Sequence, residues 1–406
     1  MLNTGISGVR GYAGIHHAQI SRLEAAGLVT LRAVVVPKFN GTYDASAEEM
    51  QALADRKLAI YDSIDKFLEQ KPDIDTMFLP VGIPLHRDLS IRCLDAGYNV
   101  VCEKPLAGSV ADADSMIDAR NRSGKRLIIA YQFMYHPSIE FVRGLARSGA
   151  YGRLLRADTL VLWPRNSVYF SRNSWAGRFE THGVTVRDCP LNNACAHFFQ
   201  NMLYVSSSGS DISPDVHVLR ADNFRSAPIE TADTQDVEAA EAHGPTLRMM
   251  VTHACEVNSN TFTVYQFEDR HVYWLHEGTV VTAPPDTTPR FADRTSLDEA
   301  VSSGDPGIRT IFDGSRYDPV AHAFDAIVHG VTTGEPLPSD VHQCRAHAAV
   351  VERALPDTNV VQSMPGTVEQ AKPGADGSAI RSWTRPGIEE AARRAFLSNG
   401  PLASEL

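Results

Sequence analysis

Between residues 1 and 130 short apolar runs alternate with helix-like segments, and that alternation limits the chain to very few folds. A first strand ends near Ser7 and a helix starts near Gly14. Leu28–Val36 reads as a second strand, residues 46–56 as a helix, Ile60-Tyr61 as a short strand and Ile64–Glu69 as a helix. Thr76–Leu79 suits a buried strand, Pro84–Ala96 a helix and Tyr98–Cys102 a strand. Val110–Ser123 reads as a further helix and Arg126–Ala130 as a further strand. Strands separated by helices build a mostly parallel, doubly wound sheet with ligands at its carboxyl edge.

The 406 residues exceed what one core usually holds, so two domains are expected. The first is placed at residues 1–130, the second at 131–355, with an extension over 356–406. Tyr151–Trp163, Arg248–Glu256, Thr261–Phe267 and Val272–Leu275 are strand candidates, several with alternating apolar and polar residues. The pattern predicts an α+β domain on an open, predominantly antiparallel sheet, whose free face is either solvated or a dimer interface. Pro319–Gly330 and Val341–Arg353 read as helices returning to the compact body. Residues 356–380 are rich in Pro, Gly, Ser and charge and suggest an irregular segment, and Gly387–Phe396 a short amphipathic helix.

Lysine plus arginine number 38 against 49 carboxylates, a formal charge of −11 that argues against nucleic acid and anionic membrane as partners. No run of about 18 apolar residues is present, so no membrane span is expected. The first residues lack a basic leader with a long apolar stretch, so a cytoplasmic location is expected. The six cysteines show no paired spacing, so neither a metal site nor a disulfide framework is expected.

Gly8, Gly11 and Gly14 fall where the first strand turns into a helix. Gly8 and Gly11 bring backbone close to a pyrophosphate, Gly14 allows helix–sheet approach, and the helix amides favour the negative charge. The second strand ends in Val35-Val36-Pro37-Lys38, with no carboxylate for a ribose and a lysine able to meet a ribose phosphate. Glu103-Lys104-Pro105 follows the strand ending at Cys102. An ammonium there can orient a hydroxyl and stabilise oxyanion charge, with Glu103 positioning it. Around Pro190, helical spacing puts Asn193, His197, Gln200 or Asn201, and Tyr204 on one face, as expected of a helix lining a wet pocket. His197 can exchange a proton and Asn193 can orient. Asp188 binds a substrate hydroxyl, holds Lys104 or caps the helix. Tyr131 and Gln132 end the first domain, and Trp163, Arg165, Tyr169, Arg172 and Trp175 lie in or beside a long loop suited to a polyol.

With these residues the chain resembles the glucose-fructose oxidoreductase/inositol dehydrogenase (Gfo/Idh/MocA) family over about residues 4–355. The marks are the turn through Gly14, His17, Leu79-Pro80 with His86, Ala96-Gly97 leading into Glu103-Lys104-Pro105, and Asn193 to His197. The resemblance implies a Rossmann domain, NAD or NADP as cofactor, and a sugar, cyclic polyol or related compound as substrate. It implies Lys104 and His197 as catalytic residues, with Asp188, Asn193, Trp163 and Arg165 binding substrate. Cofactor contacts are implied for Gly8, Arg10, Gly11, Tyr12, Gly14, Lys38, Pro80, His86, Glu103, Lys104 and Gln132, with no metal, and a homodimer or homotetramer for the assembly. Asn193 stands where the family commonly has aspartate, which interrupts a carboxylate relay. Glycoside cleavage with a recycled cofactor, or a non-catalytic sugar or cofactor sensor, are the other readings.

Overall fold

The computed structural model describes residues 1–39, 42–207, 214–241, 244–259, 261–375 and 377–406. Two compact units emerge, one of residues 1–135 with 318–345 and one of 136–317 with 346–406.

In the first unit, β1 (Leu2–Ser7), α1 (Tyr12–Ala25), β2 (Val29–Val35), α2 (Ala47–Asp55) and β3 (Ala59–Tyr61) come first. They are followed by α3 (Ile64–Gln70), β4 (Thr76–Leu79), α4 (Ile83–Asp95), β5 (Asn99–Cys102), α5 (Val110–Ser123) and β6 (Leu127–Ile129). The strands form one parallel sheet in the order β3-β2-β1-β4-β5-β6. All four residues of β4 are buried, as expected of a strand covered on both faces. The chain winds outward from β1 to β3 and then from β4 to β6, so the topological switch lies between β1 and β4. That is where an open α/β sheet leaves a ligand crevice. Gly5 inside β1 is a packing requirement, since a Cβ there would stand 2.8 Å from Ile74 Cδ1.

The segment 318–345, which sequence order leaves within the second domain, belongs to the first unit. Its helix Pro319–Thr333 brings Phe324 onto the first unit's core, stacked on Phe78 at 5.6 Å and edge-on to His16 at 5.0 Å.

The second unit contains α6 (Pro137–Ser148), β7 (Leu154–Leu162), α7 (Ala196–Ser206), β8 (Val216–Arg225), β9 (Thr234–Glu241) and β10 (Thr246–Thr252). Next come β11 (Phe262–Phe267), β12 (His271–Leu275), β13 (Thr279–Ala283), α8 (Arg294–Ser302) and β14 (Arg309–Asp313). The extension adds β15 (Val361–Ser363), β16 (Val368–Pro373), β17 (Ala379–Thr384) and α9 (Ile388–Leu397). The large sheet runs β14-β13-β12-β11-β7-β10-β9-β8-β15, antiparallel except at β7–β10 and β8–β15.

Two expectations for the extension are corrected. Residues 356–380 are not wholly irregular, because β15 joins the large sheet and β16 pairs with β17 as a hairpin. Every residue of β16 is exposed, so this strand carries no buried alternation to betray it. The sheet face offered to a partner is partly covered by α9 of the same chain. Ile388, Ala391, Ala392, Ala395 and Phe396 follow helical spacing and share one core cluster with Leu160, Leu162, Met250, Phe262 and Val264. Arg248 and Asp236, both fully buried, fasten the tail. Arg248 Nη2 donates to Gly400 O at 2.6 Å, and Asp236 Oδ2 accepts from Leu402 N at 2.9 Å.

Candidate active site

At the carboxyl end of β1 the backbone turns through Gly8 (φ 87°) and Gly11 (φ 59°) before α1 begins at Tyr12. Both conformations favour glycine. The Gly8 amide donates to Val35 O at 2.8 Å, and His17 Nε2 donates to Gly8 O at 3.0 Å. No side chain caps α1 and no acidic residue stands in its first turn. Its leading amides therefore suit an anion such as a pyrophosphate. Gly14 does not serve helix–sheet packing as expected: it is exposed, and an added Cβ would meet only Val9 O at 4.0 Å.

Arg10 and Lys38 already have carboxylates. Arg10 Nε lies 2.9 Å from Glu49 Oε2, within the capping box that opens α2, and its Nη1 lies 3.8 Å from Asp44. Lys38 Nζ is 3.8 Å from Asp62 Oδ2 and 4.2 Å from the centre of the Tyr43 ring. A ribose phosphate would compete with these carboxylates.

Glu103 is buried at the end of β5, and the Lys104-Pro105 bond is cis. The Glu103 carboxylate accepts from His16 Nε2 at 2.9 Å and from the Lys104 amide at 3.1 Å. It therefore holds the backbone that presents Lys104. His86, buried on α4, places Nδ1 2.8 Å from Pro105 O and Nε2 3.1 Å from Val81 O. One ring thus ties the loop opened by Pro80 after β4 to the loop after β5. Burial lowers its pKa, while the two carbonyls act in the opposite sense. Gln132 opens the short turn Gln132–Tyr135 after β6. His16 was missed by sequence reasoning. Its signal was a polar residue on the buried stripe of Ala13, Ile20 and Leu23.

In the second unit α7 starts at Ala196, so Asn193 precedes the helix instead of sharing a face with His197. His197, Gln200, Asn201 and Tyr204 are all buried. Tyr204 ties α7 to α6, accepting from Arg143 at 2.8 Å and donating to Glu140. Asp188 is not a helix cap. Its Oδ2 accepts from the Gly177 amide at 2.7 Å and from Arg172 at 3.2 Å, and its Oδ1 accepts from Asn193 Nδ2 at 2.7 Å. The carboxylate missing at position 193 is thus supplied to the Asn193 amide by Asp188. Arg187, at φ 47°, is an anchor that donates to Leu355 O at 2.9 Å.

Trp163 and Arg165 follow β7 and line a groove of about 690 Å³ with Ser259, Thr261, His276 and Arg294. Phe198, beside His197, lies 5.7 Å from the Trp163 ring and 5.5 Å from the His276 ring. His253 Nδ1 donates to Trp163 O at 2.7 Å, and burial, then Arg165, push its pKa down to about 3. His276 was also missed, since nothing in its local sequence distinguishes it. Among the described residues no cluster of three or more His, Cys, Asp or Glu could hold a metal, and no helix is long and apolar enough to cross a membrane.

Residues 2–131 match the model of GFO_IDH_MocA, the oxidoreductase family with an NAD-binding Rossmann fold. The dTDP-3,4-didehydro-2,6-dideoxy-alpha-D-glucose 3-reductase of Streptomyces violaceoruber is 33% identical over 108 residues, covering 26% of this chain and 31% of that protein. The inositol 2-dehydrogenase of Rhodococcus jostii (strain RHA1) is 27% identical over 128 residues, covering 31% and 34%. The matched stretches thus span about a third of these relatives' length. The WlbA dehydrogenase of Bordetella pertussis, solved with NADH and UDP-GlcNAcA, superposes with a TM-score of 0.65 at 18% identity. That match covers 87% of this chain and 96% of the other, and it establishes a shared fold.

Proposed function

The chain belongs, through residues 2–131, to the Gfo/Idh/MocA oxidoreductase family, and on that premise we propose that it transfers hydride between NAD or NADP and a sugar or cyclic polyol. The observation that carries this reading is the sheet edge of the first unit. There the uncapped start of α1 and the Glu103-Lys104-Pro105 segment follow strands on the two sides of the switch point. When bound, a nicotinamide supplies the hydride donor or acceptor, and the protein supplies geometry and electrostatics. Lys104 is the proposed cation that orients the reacting hydroxyl and stabilises its developing negative charge. His197 is proposed to exchange the hydroxyl proton, with Asn193, held by Asp188, orienting the substrate. Trp163 and Arg165 are assigned to the substrate groove.

The carboxylates beside Arg10 and Lys38 favour NAD over NADP, because Glu49 and Asp62 would compete with and repel a 2′-phosphate there. Titration calorimetry on cofactor-free protein is expected to show binding, tighter for NAD. Failure of folded protein to bind either cofactor would overturn the reading. A sugar and polyol array should then give net cofactor reduction or oxidation together with a changed carbohydrate.

A homodimer or homotetramer remains the proposed assembly on the family premise. α9 covers part of the sheet, so a partner would meet the surface left beside it or elsewhere. Light scattering over a dilution series should report more than one copy, and a persistent monomer at working concentration refutes it.

A further inference from the structure

Four arginines lie between residues 165 and 187 of the second unit, and three of them have carboxylates. Arg172 reaches Asp188 at 3.2 Å, Arg178 reaches Glu230 at 2.6 Å and Arg187 reaches Glu352 at 3.3 Å. Arg165 has no carboxylate within 4.0 Å among the described residues. Its Nη1 donates to Pro164 O at 3.1 Å, and its Nε is buried with no acceptor. The guanidinium is held over the Tyr169 ring at 4.9 Å and the Trp163 ring at 5.7 Å. Ring faces attract the cation and fix its position, but they do not neutralise it or accept its in-plane hydrogen bonds.

The groove that Arg165 enters contains a second arginine in the opposite condition. Arg294 is shared between Glu277 and Asp298, so its charge is already spent within the wall. Hydroxyls of Ser259 and Thr261 complete a polar lining. A half-buried fork with free donors, held between aromatic rings, is suited to a planar anionic group in a two-bonded geometry.

We propose that Arg165 recognises an anionic substituent, a carboxylate or a phosphate ester, on the sugar or polyol bound in this groove. The inference rests on the oxidoreductase reading above and narrows its substrate class to acidic carbohydrates.

The test compares matched probes on the full chain with NAD bound: D-glucuronate, D-glucose 6-phosphate and D-glucose, then D-galacturonate and D-galactose. Calorimetry reads binding and initial rates read turnover. The acidic member of at least one pair should bind roughly 10–100-fold more tightly than its neutral partner, the worth of a charge-assisted hydrogen-bonded pair. Arg165→Leu should abolish that preference, weakening the acidic member of a pair more than its neutral partner, while Arg165→Lys, which keeps charge but loses the fork, should retain part of it. A preference for uronates alone assigns a carboxylate, and for the 6-phosphate alone a phosphate ester. No acidic preference in any pair, or one that survives Arg165→Leu, overturns the proposal. Acid-selective binding without turnover of any sugar would leave this site standing and count against the dehydrogenase reading.

Discussion

Replacing Lys104 by Ala is expected to lower kcat on the true substrate by roughly 10²–10³-fold, the usual cost of losing one positioned group that stabilises developing oxyanion charge. Cofactor affinity should change far less. The α1 amides and the turn from Gly8 to Gly14 are separate from Lys104 in the chain, and the substitution leaves them intact. The segment carrying Lys104 is also held by contacts other than its side chain. Glu103 receives His16 and the Lys104 amide, and Pro105 O receives His86. A truncated side chain therefore removes the cation while these contacts remain. His197→Ala should reduce turnover too and change its pH profile, as expected for the loss of a proton-exchanging imidazole. Calorimetry on each folded variant separates binding from chemistry. Wild-type kcat and kcat/KM in Lys104→Ala would refute the proposed centre.

Replacing Asp236 by Ala is expected to cost about 3–5 kcal/mol of stability, the penalty for leaving a buried charge without its partner. Arg248 is fully buried and its fork is matched to Asp236 by two bonds of 2.8 Å. Both residues also hold the tail through Gly400 and Leu402. Loss of Asp236 strands the guanidinium and frees the segment behind α9. Denaturant unfolding of the second unit should show the loss, and hydrogen exchange should rise first between residues 388 and 402. The double substitution Asp236→Leu with Arg248→Met should recover much of it, because a packed apolar pair avoids the desolvation cost. A stability within about 0.5 kcal/mol of wild type in Asp236→Ala, the level of an ordinary surface change, would show that the ion pair does not fasten the tail.

The sequence by itself determined the alternation of strands and helices in the first unit, down to the limits of β4 and α5. It did so because period and capping are local properties of neighbouring residues. It also placed the glycine turn, Lys104 and the two-unit plan, since these depend on the order of elements along the chain. Tertiary structure alone decided what each buried face meets. Apolar spacing marked Ile388 to Phe396 as one side of a helix, but a pattern says that a face is buried and not what covers it. The return of residues 318–345 to the first unit has the same origin. Polar partners were hidden for a related reason. His16 meets Glu103 across 87 positions and Arg248 meets Gly400 across 152, separations that no local rule spans. Asp188 was legible as a carboxylate near the site, but only the folded loop brings the Gly177 amide, Arg172 and Asn193 to it at once. A buried carboxylate takes the donors the fold places around it, and that placement belongs to three dimensions.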